Sequence, residues 1–356
     1  MHTVAGKTVG DTGFGLMGLT WRPTPIPDEQ AFAAMRAALD AGCNLWNSAE
    51  FYGNDDDGDG GDGPGRTANL QLLRRYFTRY PEDAGRVVLA VKGGVDLHTL
   101  QPNGSADAVR ASVANVMRVL AGTKSVDIFA CARVDPAVPV EETVRALAGC
   151  VAAGQIGAIG LSEVGPATIR RAHAVHPIAS IEAEVSLWAR EVFDGPESPS
   201  GGGSSGGDTV AAACAELGIL IMGYSPLGRG FLTGSLRSVD DLPQGDFRRT
   251  LDRFQPVSLE RNLSLVDLAV RPLARCMAAS PAQLCLAWIR RKGSGRAGRP
   301  AIVPIPSSSS VERVRENAAA GIELSDANER VVDEAIASVN IVGGRYNSHA
   351  EGLLMA

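Results

Sequence analysis

Apolar positions recur at two spacings along this chain, and the two alternate from end to end. In residues 28–41, DEQAFAAMRAALDA, Phe32, Met35 and Leu39 fall at i, i+3 and i+7. That spacing predicts an amphipathic helix, with Asp28 as N-cap behind Pro27 and Gly42 as its stop. NLWN (44–47) then predicts a short buried strand, 67–80 a helix, VVLAVK (87–92) a strand, and 105–122 a helix opened by Ser105. VDIFA (126–130), IGAIGLS (156–162), IASIEAEVS (178–186), ILIMGYS (219–225) and AIVPIP (301–306) continue the strands, and FGLMGL (14–19) brings them to eight. Helices are predicted at 140–153, 165–174, 208–217, within 258–291, and at 310–320 and 325–338. Eight β/α units predict an α/β fold of one domain over 1–356, a (β/α)8 TIM barrel. A doubly wound sheet is the alternative, but no GxGxxG follows a strand and opens a helix. The opening TVAGKTVGDTG predicts a β-hairpin, Thr3–Val4 against Thr8–Val9 around Gly6–Lys7, closing the barrel floor.

Composition narrows the classes of ligand. A formal charge of -6 argues against general affinity for nucleic acid or anionic membrane and leaves a small-molecule ligand as the expectation. No run approaches the ~18 apolar residues of a membrane span, and MHTVAGKTVGDTG lacks the basic and apolar regions of a secretion signal. A cytoplasmic monomer or weak homo-oligomer is expected. Cys43, Cys131, Cys150, Cys214, Cys276 and Cys285 form no CxxC pair and are expected to be reduced and buried. His98, His173, His176 and His349 are isolated, so no metal site is expected. DDDGDG (55–60) matches the start of an EF-hand loop, yet its twelfth position is Arg66 instead of Glu; an acidic, glycine-rich solvated loop over 54–65 is the better reading. GPESPSGGGSSGG (195–207) reads as a flexible insertion, and 339–356 as a tail free to fold over the mouth, bringing Arg345 or Tyr346 to the substrate.

In a barrel the chemistry belongs at the C-terminal ends of the strands, which draws attention to Tyr52 in LWNSAEFYG and Lys92 in VVLAVKGG. A phenol beside an amine can hand a proton to a substrate carbonyl. After the last strand, SSSSVERVREN offers Ser307, Ser308 and Ser309, free backbone N–H groups at a helix start, and Arg313 one turn inside. YSPLGRG, with Gly228 and Arg229, ends the preceding strand; two such neighbouring loops predict a site for dinucleotide phosphates.

These segments together resemble the aldo-keto reductases over nearly the whole chain. FGLMGL resembles that family's first strand, LWNSAEFYG its catalytic loop, VVLAVKGG its lysine strand, and GQIGAIGLSEV, IEAEVSLWARE, GYSPLGRGFLTG and VPIPSSSSVERVREN its cofactor segments. LMGLTWRP, EFYG, CARVD and SLW are most similar to the pyridoxal reductases. The resemblance implies NADPH-dependent reduction of an aldehyde, pyridoxal to pyridoxine, and so a part in vitamin B6 metabolism. It implies Tyr52 as general acid assisted by Lys92, and Tyr224 stacked on the nicotinamide. Ser162, Glu163 and Glu182 would then lie at the carboxamide, and Ser225, Leu227, Gly228 and Arg229 along the pyrophosphate. Ser307, Ser308, Ser309 and Arg313 would hold the 2′-phosphate, with Glu316 and Asn317 near the adenine. Arg313 and the absence of an acidic ribose clamp favour NADP over NAD.

The chain departs from the family where it matters most. Asn47 replaces the usual aspartate and Ala132 the usual histidine, and Glu163 and Glu182 stand where amides are usual. A carboxylate accepts hydrogen bonds but cannot donate them. Without the aspartate, a desolvated Lys92 should lose its proton more readily unless another carboxylate substitutes, and Glu50 is the expected substitute. Lys92 would in turn bring the Tyr52 phenol down toward working pH. Trp21, Phe51 and Trp188 would wall a flat aromatic aldehyde, with Arg22 or Arg133 meeting a phenolate or hydroxyl. Two other readings stand: an NADPH-binding sensor with little turnover, motivated by the altered residues, and a Schiff-base role for Lys92.

Overall fold

The hairpin is present at the start of the chain, where β1 (His2–Val4) pairs antiparallel with β2 (Lys7–Val9). The structure is a computed structural model describing residues 1–356 except 25, 55–64, 195–207, 296, 297, 320, 348–350 and 356. Eight parallel strands follow in chain order: β3 (Phe14–Gly15), β4 (Leu45–Ala49), β5 (Val88–Gly93), β6 (Val126–Cys131), β7 (Ile156–Ser162), β8 (Ile178–Glu184), β9 (Leu220–Tyr224) and β10 (Ala301–Pro304). The two ends meet, because the Gly13 and Gly15 amides donate to the Pro304 and Pro306 carbonyls at 2.9 and 3.0 Å. This is the expected (β/α)8 barrel, and its unbroken strand order removes the doubly wound alternative.

Strand side chains alternate between the two faces, so the barrel has two cores. Leu45, Val88, Ala90, Ile128, Leu220, Met222, Val303 and Ile305 fill the inside, and Val4 and Val9 of the hairpin join them as the floor. Trp46, Leu89, Val91, Phe129, Ile181 and Ile221 point outward under the helices. Continuing the inward series toward the C-terminal ends changes its chemistry. Two residues past Leu45 and Ala90 come Asn47 and Lys92, and two past Gly160, Ser180 and Met222 come Ser162, Glu182 and Tyr224. Apolar filling thus ends where a layer of buried polar groups begins.

Several local expectations change. FGLMGL pairs only over Phe14–Gly15, and Met17–Thr20 forms a helical turn. A Cβ at Gly15 would lie 2.9 Å from the Ile305 carbonyl, so the seam closes there by backbone contact. Asp28 is the first helical residue instead of the N-cap, which is Pro27, and its carboxylate takes Arg75 at 2.6 and 2.8 Å. The 258–291 region divides into Pro256–Ser264, a π-helical turn Leu265–Val270, Arg271–Cys276 and Pro281–Lys292, the last with a Ser280–Gln283 capping box. Five of the cysteines are buried, but Cys276 is exposed. The 55–64 loop, the 195–207 insertion and His349 lie outside the described residues. Among the described residues no His/Cys/Asp/Glu group could hold a metal ion, and no helix is long and apolar enough to cross a membrane.

On the outer layer, Glu329 of the helix Asp326–Ala337 is buried among three cations, Arg291 at 2.8 Å and Lys292 and Arg299 at 3.0 Å. Burial raises its pKa, but the hydrogen bonds from Arg299, Lys292 and Arg291 outweigh burial and hold the carboxyl down at about 2. Because the folded value lies below the unfolded one, this stabilisation is present above pH 4.5 and is lost as pH falls toward 2. Glu329→Gln is expected to cost on the order of 2 kcal/mol at pH 7. Denaturant melts at pH 7 and near pH 2 would measure it, and the difference from wild type should largely vanish at the lower pH.

Candidate active site

Parity along β4 sorts the LWNSAEFY segment. Asn47 shares the inward face with Leu45, whereas Ser48 and Glu50 point out. Ser48 donates to Asn69 at 2.6 Å; Glu50 accepts from Asn115 at 2.7 Å and from the Ser112 hydroxyl. Its carboxylate therefore faces the helix Ala106–Leu120 and not Lys92, and burial holds its pKa above the ordinary value. A Cβ at the adjoining Gly93 would fall 2.3 Å from Ser112 Oγ and 2.7 Å from the Phe129 ring, so glycine is what admits this outer network.

The carboxylate at Lys92 is that of Glu182. Lys92 Nζ donates to Glu182 Oε1 and Oε2 at 2.8 and 3.0 Å and to Asn47 Oδ1 at 2.9 Å; Asn47 Nδ2 donates to Glu182 Oε2 at 2.6 Å. All three side chains are buried. Burial alone would lower the Lys92 pKa, but Glu182, and then the Tyr52 phenol, hold it above the ordinary value. The ammonium thus keeps its charge although the aspartate is gone.

Tyr52 is held over this pair by its backbone, its carbonyl accepting from Asn69 N at 3.0 Å and Thr20 Oγ1 at 3.1 Å. Lys92 Nζ lies 4.9 Å from the centre of its ring. Burial raises the phenol pKa, Lys92 opposes that, and Glu182 adds to it; the result stays above the ordinary value. The expected descent toward working pH is not found, because burial outweighs the ammonium and Glu182 adds to it. A phenol in this state is a proton donor with a cation ready to stabilise the phenolate it leaves.

Trp21 lies 5.7 Å from the Tyr52 ring, 6.3 Å from Phe51 and 6.3 Å from Phe247, against which it stacks. Trp188 is elsewhere, buried and stacked on Phe231 at 4.5 Å. It backs Gly228, where a Cβ would lie 3.0 Å from its indole. Arg22 is half-buried, and its Nε has no hydrogen-bond partner among the described residues. Arg133 follows Ala132; its Nη1 donates to the Ala132 carbonyl at 2.6 Å and reaches Ser162 Oγ at 3.5 Å.

Beyond β9, Ser225, Gly228, Arg229 and Gly230 all have left-handed backbone, and the Gly228 amide donates to the Ser225 carbonyl at 2.8 Å, turning the loop containing Leu227 tightly. Arg229 lies 3.6 Å from Glu184. Next to this loop, Ser307 borders Gly18, Ser308 Oγ accepts from Ser310 N at 3.1 Å, and the Ser309 carbonyl accepts from Gln30 at 3.2 Å. Ser310 caps the helix Val311–Ala318, on which Arg313 is exposed with no ion-pair partner among the described residues. Glu316 accepts from the Ser280 hydroxyl at 2.6 Å, and Asn317 is buried.

Two residues of the tail enter the mouth. Arg345 Nη1 and Nη2 donate to Glu163 at 3.2 and 2.9 Å, both side chains being fully enclosed. Tyr346 meets Tyr224 hydroxyl to hydroxyl at 3.2 Å, with the Arg229 and Arg133 guanidinium groups 4.8 and 5.9 Å from its ring. Burial raises the Glu163 pKa, but Arg345 and Arg133 hold the carboxylate below its ordinary value. Phe247 and the pairing of Glu182 with Lys92 are the features that sequence reading did not find. Period-two counting carried a signal for the second: from Leu45 it turns Glu50 out, and Ile181 and Ala183, outward under the helices, leave Glu182 inward. Phe247, in a loop without period, carried none.

A closed parallel eight-stranded barrel with a buried phenol beside a buried ammonium at its mouth places the chain in the class of barrel oxidoreductases. The relationship is specific: the model of the Aldo/keto reductase family matches residues 12–337, and the chain belongs to that family, whose members are oxidoreductases using NADP(H). It is 38% identical to the "Probable pyridoxal reductase 2" of Schizosaccharomyces pombe, with 99% of each chain covered. It is 36% identical to the "Putative pyridoxal reductase" of Saccharomyces cerevisiae, over 94% of this chain and 95% of that one. In fold it is similar to the glycerol dehydrogenase AKR11B4 from Gluconobacter oxydans, with a TM-score of 0.74, 19% identity and 94% of each chain covered.

Proposed function

We propose that this protein reduces an aromatic aldehyde with NADPH, and that pyridoxal, giving pyridoxine, is its substrate. The observation that carries the reading is the hydrogen-bonded set Lys92, Glu182 and Asn47, with the Tyr52 ring 4.9 Å from Lys92 Nζ, beneath the aromatic wall of Trp21, Phe51 and Phe247. The names of the two fungal relatives support the choice of aldehyde. The residues present fit the cofactor. Arg313 and the Ser308 hydroxyl stand at the start of a helix beside the tightly turned 225–230 loop, an arrangement suited to phosphate groups, and Tyr224 lies inward at the end of β9.

When bound, the reduced nicotinamide supplies hydride to the carbonyl carbon. Tyr52 holds the proton that the carbonyl oxygen gains. Lys92, kept charged by Glu182, stabilises the phenolate as that proton leaves. Asn47 accepts from Lys92 and donates to Glu182, fixing both. Arg133 stands next to the residue that replaces the family's histidine and presents a guanidinium to the same oxygen; it can donate a hydrogen bond but cannot give up its proton. Trp21 and Phe51 wall a flat ring, and Arg22 or Arg133 meets the phenolate of pyridoxal.

Loss of NADPH absorbance with pyridoxal and with benzaldehyde tests this directly. The kcat/KM for pyridoxal is expected to exceed that for benzaldehyde by about tenfold or more, since a polar site discriminates against a substrate that leaves its groups unpaired. Equal values would remove pyridoxal as the substrate. No turnover on either aldehyde, with NADPH still bound, would leave the sensor reading instead.

A further inference from the structure

Lysine is scarce in this chain. Of its 34 lysines and arginines only Lys7, Lys92, Lys124 and Lys292 are lysines, and each of them is paired with a carboxylate. Three lie away from the mouth. Lys7 in the floor hairpin and Lys124 just before β6 share Asp127, while Lys292 sits on the outer layer with Glu329 and Asp333. Lys92, on β5, is the one lysine beside the phenol that faces an aldehyde.

An amine next to an aldehyde has a second reaction open to it. The Nζ lone pair bonds to the carbonyl carbon, the oxygen leaves as water with two protons from the nitrogen, and a C=N bond remains. An ammonium has no lone pair with which to begin. Burial favours the neutral amine, because it penalises the charged form. Lys124 shows this within the same molecule: it is buried, it holds one oxygen of Asp127 at 2.7 Å, and burial still brings its pKa below the ordinary value. At Lys92 the balance is reversed. Glu182 Oε1 at 2.8 Å, Glu182 Oε2 at 3.0 Å and Asn47 Oδ1 at 2.9 Å meet the three N–H groups of an ammonium, and Asn47 Nδ2 holds the same carboxylate at 2.6 Å.

We propose that Glu182 is a positioning residue for reaction specificity: it holds Lys92 as an ammonium aimed at protein oxygens, so that a bound aldehyde meets a proton donor but no amine lone pair. The ion pair that stabilises the phenolate thus also suppresses condensation of the protein with its own substrate. Lys92 has the strand-end place of a Schiff-base lysine, and Glu182 withholds that chemistry from it. This rests on the aldehyde-reducing reading above.

The test treats the protein with pyridoxal and cyanoborohydride in the presence of NADP+. Cyanoborohydride reduces an imine to a secondary amine, and peptide masses then show which lysine carries the adduct. In wild type Lys92 is expected to stay unmodified while the exposed Lys7 is labelled. Glu182→Gln keeps the shape and removes the charge, and should raise labelling of Lys92 by about tenfold or more. Asn47→Asp/Glu182→Gln returns a carboxylate to the same ammonium from its other side and should bring labelling back to the wild-type level, a reversal that mere loosening of the site would not give. Glu182→Met repeats both arms should the glutamine variant not fold. Labelling of wild-type Lys92 as readily as Lys7 would overturn the proposal, as would no rise when Glu182 is replaced or no reversal by aspartate at 47. Turnover of pyridoxal and benzaldehyde by wild type is followed alongside. Its absence with both would remove the reading on which the proposal rests, whereas turnover without a Lys92 adduct in the Glu182 variant removes the proposal alone.

Discussion

Replacing Tyr52 by phenylalanine is expected to lower kcat for aldehyde reduction by about 10²–10⁴-fold, the range for loss of a positioned proton donor, with NADPH affinity close to wild type. The phenol is the one neutral acid of the buried set. Lys92 is engaged by Glu182 and Asn47, and Arg133 cannot release a proton. Within that set of described residues no other group can donate one. Because burial and Glu182 keep the phenol above its ordinary pKa, it stays protonated through the neutral range, so its own ionisation should not limit the rate below about pH 10. Removing one hydroxyl also leaves the ring contacts with Trp21 and Phe51 in place. Steady-state kinetics with pyridoxal, set beside a titration of NADPH fluorescence, would measure both quantities. Equal slowness of the two proteins with intact NADPH binding would mean that Tyr52 is not the acid.

The barrel was readable because period and order sufficed for it. Eight apolar runs separated by amphipathic helices leave few ways to bury both faces of a parallel sheet, and the absence of a glycine-rich crossover pointed to closure. What sequence reading missed comes from two causes. Glu50 lies nearer Tyr52 in the chain than Glu182 does, but nearness along a strand is not nearness in space: each step reverses the side chain, and Glu50 is three steps from the inward Asn47. The ion pair across the barrel, from β5 to β8, joins residues ninety positions apart, and only closure of the sheet shows that they face each other. The second cause concerns the tail, which was expected at the mouth with Arg345 or Tyr346, but whose ionic partner was not named. Arg345 is an ordinary arginine in a segment without period, and its partner is 182 residues away. Asn262 and Gly343 fix where that segment turns, and neither residue type announces that role.

Lys92→Met tests the ion pair from the side that leaves the anion behind. The Glu182 carboxylate, 2% exposed, would keep only the Asn47 amide as partner, and stranding a buried charge costs about 3–5 kcal/mol. A fall of that size in unfolding free energy is expected at pH 7, measured by denaturant titration. It should be accompanied by loss of aldehyde reduction, because Tyr52 would then have to form its phenolate beside a carboxylate with no cation between them. The double variant Lys92→Met/Glu182→Met separates these two consequences. With both charges gone and apolar side chains of similar length in their place, stability should return to within about 1–2 kcal/mol of wild type, as it does when buried pairs are replaced whole. Catalysis should not return, since the phenolate would face methionines. Recovery of activity in the double variant would show that the ammonium serves only to neutralise Glu182. If Lys92→Met were stable and active on its own, neither the buried pair nor its action on Tyr52 could stand.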